Sequence, residues 1–300
     1  MRILLTGGTG LIGRALCAFW LEQGHELLVW SRRPEQVEPL CGKGVRGVAS
    51  LQELGDIQLD AIINLAGAPI ADRPWTAGRR RLLRDSRIRL TDELVGWMAQ
   101  LSQAPPLLIS GSAIGWYGDT GEQLVTEEST PGTRDFGSEL CEDWEQAARK
   151  AEAFGVRVVR IRTALVLAPS GGFLARLRPL FALGLGGRLG NGQQWMSWVH
   201  LDDKVALIDH LLHLPDAQGP YNTGAPNPVR NSEFTRQLAA QLKRPAFMHA
   251  PAFVLRMLLG EMSGLLLGGQ RIQPVRLQES GFNHRFPLLE DALADVLRRK

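Results

Sequence analysis

Three glycines spaced Gly7-x-x-Gly10-x-x-Gly13 follow the apolar run Ile3-Leu4-Leu5-Thr6 and lead into a helical pattern that opens at Leu11. The chemistry this spacing offers is bare main-chain N–H. Gly7 permits a tight turn out of a strand, Gly10 lets the backbone approach a phosphate, and Gly13 lets the helix pack close. The first-turn amides of a helix lack intrahelical partners, so they meet an anion with the helix dipole behind them. Thr9, Leu11 and Ile12 share that turn and are expected beside the ligand. Strand, glycine triad, helix and second strand arrive in the order that a dinucleotide pyrophosphate needs.

A second group with chemical potential follows the next strand-like run, Leu27 to Trp30. A carboxylate there would bond a ribose 2′-hydroxyl and repel a 2′-phosphate, but this chain has Ser31-Arg32-Arg33. A hydroxyl and two guanidinium groups suit a 2′-phosphate, which arginine can hold bidentately. The expected cofactor is therefore NADP.

The elements that must position these groups are legible as alternation. Ile3–Thr6, Leu27–Trp30, Val45–Val48, Ala61–Leu65, Leu107–Ser110 and Val156–Ile161 read as strands apolar on both faces, as in a covered parallel sheet. Helical patterns over Leu11–Glu22, Thr76–Gln103 and Ser138–Ala153 fall between them, with Gly24 and Gly155 at helix ends. This predicts an α/β, doubly wound Rossmann sheet. A further helix, Asp203–His213, and a strand, Tyr221–Thr223, follow a glycine-rich stretch, and the chain from about Asn231 is mainly helical. The expected division is a nucleotide-binding domain over 1–168, completed near 198–224, with 169–197 and 225–300 forming a smaller cap on the substrate side.

Composition narrows the function classes. The 300 residues are 44% hydrophobic and 22% charged, with a formal net charge of +3, which argues against a nucleic-acid-binding field. The basic group Arg79, Arg80, Arg81 and Arg84 lies in a predicted helix and reads as a solvated face, with no interleaved aromatics. Cys17, Cys41 and Cys141 have no CxxC spacing and the histidines no ligand spacing, so no metal site and a reducing cytoplasm are expected. Because the chain opens on a strand-like run followed by glycines, no leader segment is expected. The apolar stretch Phe253 to Leu267 is broken by Arg256 and Glu261 and is short for a span. A cytoplasmic monomer or homodimer with a small-molecule substrate, and neither nucleic acid nor membrane as partner, is the expectation.

The motifs resemble the extended short-chain dehydrogenase/reductase superfamily, which includes nucleotide-sugar epimerases and dehydratases. Thr6–Gly13 is similar to its cofactor motif, Asn64-Leu65-Ala66-Gly67 to its fourth-strand motif, Ser110–Gly118 to its serine-bearing fifth-strand end, and Trp198-Val199-His200-Leu201-Asp202-Asp203 to a later segment. Ile114–Gly118 together with Cys141–Glu145 resembles, more narrowly, an atypical epimerase-like subfamily with a C-terminal helical extension. The resemblance implies that Leu65, Ala66, Gly67 and Ser110 lie along the cofactor, that Arg87 approaches it, that Leu165 flanks the nicotinamide, and that Ser112 is the serine that bonds substrate. It also marks a departure. The superfamily's Tyr-x-x-x-Lys pair falls on Gly137 and Cys141, so the dyad is absent.

Other proton carriers must then be considered. Tyr117, next to the serine strand, either serves as an acid/base or packs a tight turn, and Ser112 either meets a substrate or satisfies backbone. Cys141 reads as a small core residue, and Asp202 and Asp203 read as helix caps. Trp195 and Trp198 either line a concave site or anchor the cap. Two functions follow: an NADP-dependent oxidoreductase or epimerase acting on a small polar substrate such as a sugar derivative, or a non-catalytic NADP(H)-binding redox sensor.

Overall fold

The computed structural model describes residues 1–299. Seven parallel strands form its centre: β1 (Arg2–Thr6), β2 (Glu26–Trp30), β3 (Arg46–Val48), β4 (Ala61–Asn64), β5 (Leu107–Ala113), β6 (Arg157–Thr163) and β7 (Gly219–Thr223). Their order is β7-β6-β5-β4-β1-β2-β3. The expected doubly wound sheet is present, and its order reverses between β1 and β4, where such sheets open a crevice beyond their carboxyl ends.

Period-two alternation explains why both faces are covered. Ile3 and Leu5 pack with Leu27, Val29, Ile63 and the helices α1 (Leu11–Glu22) and α6 (Leu201–His213). Leu4, Leu28, Ile62 and Leu108 face the other way, onto α3 (Leu90–Met98) and α4 (Phe136–Arg149). The apolar residues of the central strands are thus covered by helices on both faces. Trp20 on α1 donates its indole N–H to Asp209 on α6 at 2.7 Å, fixing the first face.

The predicted helix over Thr76–Gln103 is three pieces: α2 (Ala77–Arg84), a π-helical turn over Asp85–Arg89, and α3. Widened turns of this kind re-aim side chains, and this one carries Arg87. Beyond β6 the chain adds α5 (Gly172–Ala182), α7 (Asn231–Leu242), α8 (Ala252–Leu259) and α9 (Leu289–Arg298), with two-stranded ribbons between. Leu174, Phe181, Trp198, Phe234, Leu238 and Leu293 form the separate core of this cap. No helix among the described residues is long and apolar enough to cross a membrane.

A buried lysine sits at the end of the sheet. Lys204 on α6 is fully buried, with Nζ donating to Thr163 Oγ1 at 3.0 Å and Thr223 Oγ1 at 2.7 Å. Burial holds its pKa well below the 10.5 of a free lysine. Between the two values the unfolded chain binds the extra proton, so Lys204 weakens the fold at neutral pH and does so less as pH rises toward 10.5. Both threonine hydroxyls keep backbone acceptors without it. Lys204→Met is expected to stabilise the protein at pH 7 by about 1 kcal/mol or more, with the gain shrinking in melts at more alkaline pH. Lower stability of the variant throughout would overturn this account.

Candidate functional site

The turn after β1 is built for close backbone approach. Gly7 has φ +69°, and a Cβ on it would lie 2.8 Å from Leu65 and Ala66 backbone atoms. A Cβ on Gly13 would come within 2.3 Å of the Gly7 carbonyl oxygen and 2.6 Å of Gly8 backbone atoms, so α1 packs this close to the loop only because residue 13 is glycine. Gly10 is the N-cap, makes no side-chain cap bond, and precedes a first turn without acidic residues. The first backbone bond closing α1 is Arg14 N–H to Gly10 C=O at 2.9 Å. The amides of Leu11, Ile12 and Gly13 therefore lie at an uncapped helix start, which fits a pyrophosphate. Thr9 and Leu11 are half-buried in this turn, and a Cβ on Gly172 at the start of α5 would lie 3.3 Å from Leu11 Cδ2.

Beyond β2, Ser31 N–H bonds Val48 C=O at 2.9 Å, and its hydroxyl accepts Arg33 N–H at 3.2 Å, folding the segment into a tight turn. Arg32 and Arg33 are both exposed, and neither side chain takes part in an ion pair or hydrogen bond among the described residues. Arg14, in the first turn of α1, is a third exposed guanidinium, and its charge is felt by the Cys41 thiol just past the Ser31–Arg33 turn. Arg14 was not among the residues expected here. Its signal was a cation at a helix start, where the dipole disfavours one.

The segment after β4 forms the opposite wall. Leu65 and Ala66 are half-buried and Gly67 is exposed. The π-helical turn swings the Arg87 guanidinium onto Gly67, where a Cβ would lie 2.9 Å from Arg87 Cζ. Its Nη2 donates to Ala68 C=O at 3.0 Å, and it stacks over Trp144. Burial lowers the Arg87 pKa. Beneath this wall runs a buried polar chain. Thr6 Oγ1 donates to Asn64 Oδ1 and accepts Ala66 N–H, while Asn64 Nδ2 donates to Thr91 and Ser110 hydroxyls. Ser110 is fully buried there, so the structure places it under the wall, holding Asn64. Leu165 pairs in register with Trp198 on the cap side of the crevice.

Ser112 and Tyr117 lie in a second buried network. Ser112 Oγ donates to Glu145 Oε1 at 2.7 Å. The Glu145 carboxylate takes a bidentate pair from Arg162, at 2.8 and 3.0 Å, and a longer contact from Arg160 at 3.3 Å. Arg162 also donates to Tyr117 OH at 3.0 Å, and Tyr117 OH bonds Asn222 Oδ1 at 2.8 Å and Thr126 C=O at 2.9 Å. Tyr117 has no exposed surface, and burial raises its pKa although Arg162 opposes this. Both hydroxyls are committed inside the protein. At the dyad positions, Gly137 packs near Trp75, and Cys141 is buried with its thiol pushed up to about 12 by burial and by Glu145. Such a thiol holds its proton at neutral pH.

Glu145 and Arg162 were missed at the sequence level, though each left a signal. Glu145 follows Cys141 by four residues and is the one charged residue on the buried face of its helix. Arg160 and Arg162 alternate within a strand of valines and isoleucine.

Other expectations change in detail. His200, rather than Asp202 or Asp203, caps α6, with Nδ1 accepting Asp202 N–H at 3.0 Å. The imidazole is too deeply buried to charge readily, and its pKa falls. Asp203 instead accepts the backbone N–H groups of Arg285 and Phe286, tying down the C-terminal segment. His200, Asp202 and Asp295 bring ligand atoms within 4.8 Å. Arg299 contacts both carboxylates at 2.7 Å, so a positive charge already occupies that cluster. The arginines read as a solvated face are partly ties: Arg80 pairs with Glu261 and Arg84 with Asp143. Trp198 is buried in the cap core, whereas Trp195 stacks between Arg230 and Arg271.

The geometry agrees with relatives across the whole chain. Residues 3–224 match the NAD dependent epimerase/dehydratase family, and residues 250–296 match a domain of unknown function, DUF1731. An epimerase family protein of Mycobacterium tuberculosis is 40% identical over 99% of this chain and 98% of its own length. A chloroplastic epimerase family protein of Arabidopsis thaliana, an SDR39U1 homolog, is 38% identical over 99% of this chain and 87% of its own. The crystal structure of human epimerase family protein SDR39U1 with NADPH superposes with a TM-score of 0.90, at 31% identity and 100% coverage of both chains. On sequence and architecture together, this chain belongs to the NAD dependent epimerase/dehydratase family.

Proposed function

We propose that the protein binds NADP(H) across the carboxyl ends of β1, β2, β4 and β5, with Arg32 and Arg33 on the adenosine 2′-phosphate. One observation carries this reading: two exposed guanidinium groups, free of ion pairs among the described residues, stand where a carboxylate would select the unphosphorylated ribose. The human relative's NADPH supports it. The uncapped start of α1 would hold the pyrophosphate, and the wall of Leu65, Ala66, Gly67 and Arg87 would flank the adenosine side. Bound there, the cofactor would supply or accept a hydride. Three free cysteines suit a reducing compartment such as the cytoplasm.

In role, the geometry favours NADP(H) binding without the superfamily's tyrosine relay. Ser112 and Tyr117 are held by Glu145, Arg162 and Asn222, and Cys141 keeps its proton. Such a protein would report redox state to a partner. Family membership supports a second reading, an epimerase-like or oxidoreductase enzyme acting on a small polar substrate between sheet and cap, with its proton delivered by another group. The fluorescence of bound NADPH, followed over time with fractionated metabolite pools, separates them. Persistent binding without oxidation supports the sensor, and steady oxidation supports the enzyme.

Ser112→Ala is expected to leave NADPH affinity within about twofold and to cost about 1 kcal/mol of stability, the worth of one buried hydrogen bond. Loss of NADPH binding in a folded variant would show that the serine serves the cofactor.

A further inference from the structure

The cap carries a cationic cleft that shares no residue with the dinucleotide site. Its volume is about 460 Å³, and Arg188, Arg236, Arg244, Phe247, Met248 and His249 are among its walls. Arg188 lies on the strand Gly187–Leu189, which pairs in parallel with Met248–Ala250 so that His249 is the register partner of Arg188. The opposite wall is α7, which brings Arg236 and, just beyond its end, Arg244.

Three features distinguish this cleft from an ordinary solvated face. First, its charge is unbalanced. Arg236 is held by Glu233, but Arg188 and Arg244 take part in no ion pair or side-chain hydrogen bond among the described residues. The chain holds no Asp or Glu between Ala153 and Leu201, or between Phe234 and Gly260. Near the cleft, Glu233 on α7 is paired with Arg236, and Arg188 and Arg244 are left without a carboxylate partner among the described residues.

Second, the rim is apolar and open. Phe247 is 77% exposed, and Met248 beside it is 44% exposed. Third, α7 ends on Lys243 at φ +53°, the one non-glycine residue with positive φ among the described residues. Lys243 N–H bonds Ala240 C=O and Arg244 N–H bonds Ala239 C=O, both at 3.0 Å, closing a turn that normally takes glycine. A side chain in that conformation costs energy, and here it turns the chain so that Arg244 and Phe247 come back along the cleft.

We propose that this cleft binds a phosphate group borne on an apolar or aromatic body. Arg188 and Arg244 would supply forked donors to the phosphate oxygens, and Phe247 with Met248 the apolar bed, while His249 is held in the wall by its Nε2 bond to Gly190 C=O at 2.7 Å. A size of about 460 Å³ fits a small molecule. In a two-fold symmetric contact a second copy of the chain would bring the same positive charges to the cleft, which disfavours that occupant. The phosphate could belong to a soluble metabolite or to a lipid headgroup, and the test distinguishes the two.

The protein is first saturated with NADPH, so that the phosphate loop after β1 is closed to competitors. Phenyl phosphate is then titrated by calorimetry, with phenol as the uncharged control. Sedimentation with phosphatidylcholine vesicles, with and without phosphatidic acid, runs alongside. Saturable binding of phenyl phosphate but not phenol is expected, weakened roughly tenfold or more in R188Q/R244Q, with NADPH affinity unchanged. Binding to phosphatidic-acid vesicles alone, lost in the same variant, supports the site with a lipid as the source. Absence of binding to both probes, or binding that survives both substitutions, overturns the proposal.

Discussion

Replacing Glu145 with alanine is expected to lower the unfolding free energy by about 3–5 kcal/mol, among the largest effects a single side chain can produce here. The reason lies in what is left behind. Arg162 is 2% exposed and its bidentate carboxylate partner is Glu145, so the variant buries an uncompensated guanidinium. Ser112 loses its acceptor and Arg160 its ion pair in the same step. Burial works against the Arg162 charge, yet Glu145 and Tyr117 more than offset it, and its pKa rises above the usual arginine value. Urea unfolding provides the measurement. Because the cost comes from a stranded charge, the double variant E145A/R162M should recover much of it, since an apolar pair avoids the desolvation of both ions. A loss in E145A below about 1 kcal/mol, or a double variant no better than the single, would show that the network is not the fold's central polar tie.

The second large effect concerns ligand preference. Arg32→Ala with Arg33→Ala is expected to weaken NADPH roughly a hundredfold or more, the worth of two charge-assisted contacts to a phosphate dianion, while NADH changes by no more than about threefold. Both groups are exposed, so the NADPH effect should shrink as salt is raised. Fluorescence titration with each nucleotide at two ionic strengths gives four affinities. Equal losses for both nucleotides would remove the 2′-phosphate role from these side chains. A residual NADPH preference that disappears on adding Arg14→Ala would assign the remainder to the first turn of α1.

The two predictions probe opposite kinds of polar group. The arginines beyond β2 are exposed and have no side-chain partner among the described residues. Glu145 and Arg162 satisfy one another in the interior and hold Ser112 and Tyr117 with them. A serine and a tyrosine with the right sequence neighbours can therefore sit within the superfamily's catalytic segment and yet serve packing and hydrogen-bond satisfaction. Activity assays on S112A and Y117F need a stability measurement beside them, since loss of either hydroxyl disturbs the same buried charge pair.

How much was legible depended on the range of the interaction. The glycine triad, the strands of the sheet and the expected fold rest on local rules, because turn geometry and two-sided burial write themselves into neighbouring residues. The Arg87 placement was half visible. Its position in a helix could be read, but the π-helical turn that rotates it onto Gly67 depends on packing against Trp144 and the segment after β4. The cap of α6 was misread for a similar reason: Asp203 is a good N-cap by type, yet the backbone amides of Arg285 and Phe286 compete for its carboxylate.

What the sequence alone determined is the glycine turn after β1 and the parallel α/β frame around it, since glycine spacing and apolar alternation act over a few residues. Only the tertiary structure decided which polar groups remain free for ligands and which are spent inside. That division is set by partners 33 positions apart, as for Ser112 and Glu145, or 105 apart, as for Tyr117 and Asn222. A hydroxyl or carboxylate carries no local mark of whether folding will bring it water, a ligand or another buried charge, because its desolvation cost is settled only when distant elements close around it.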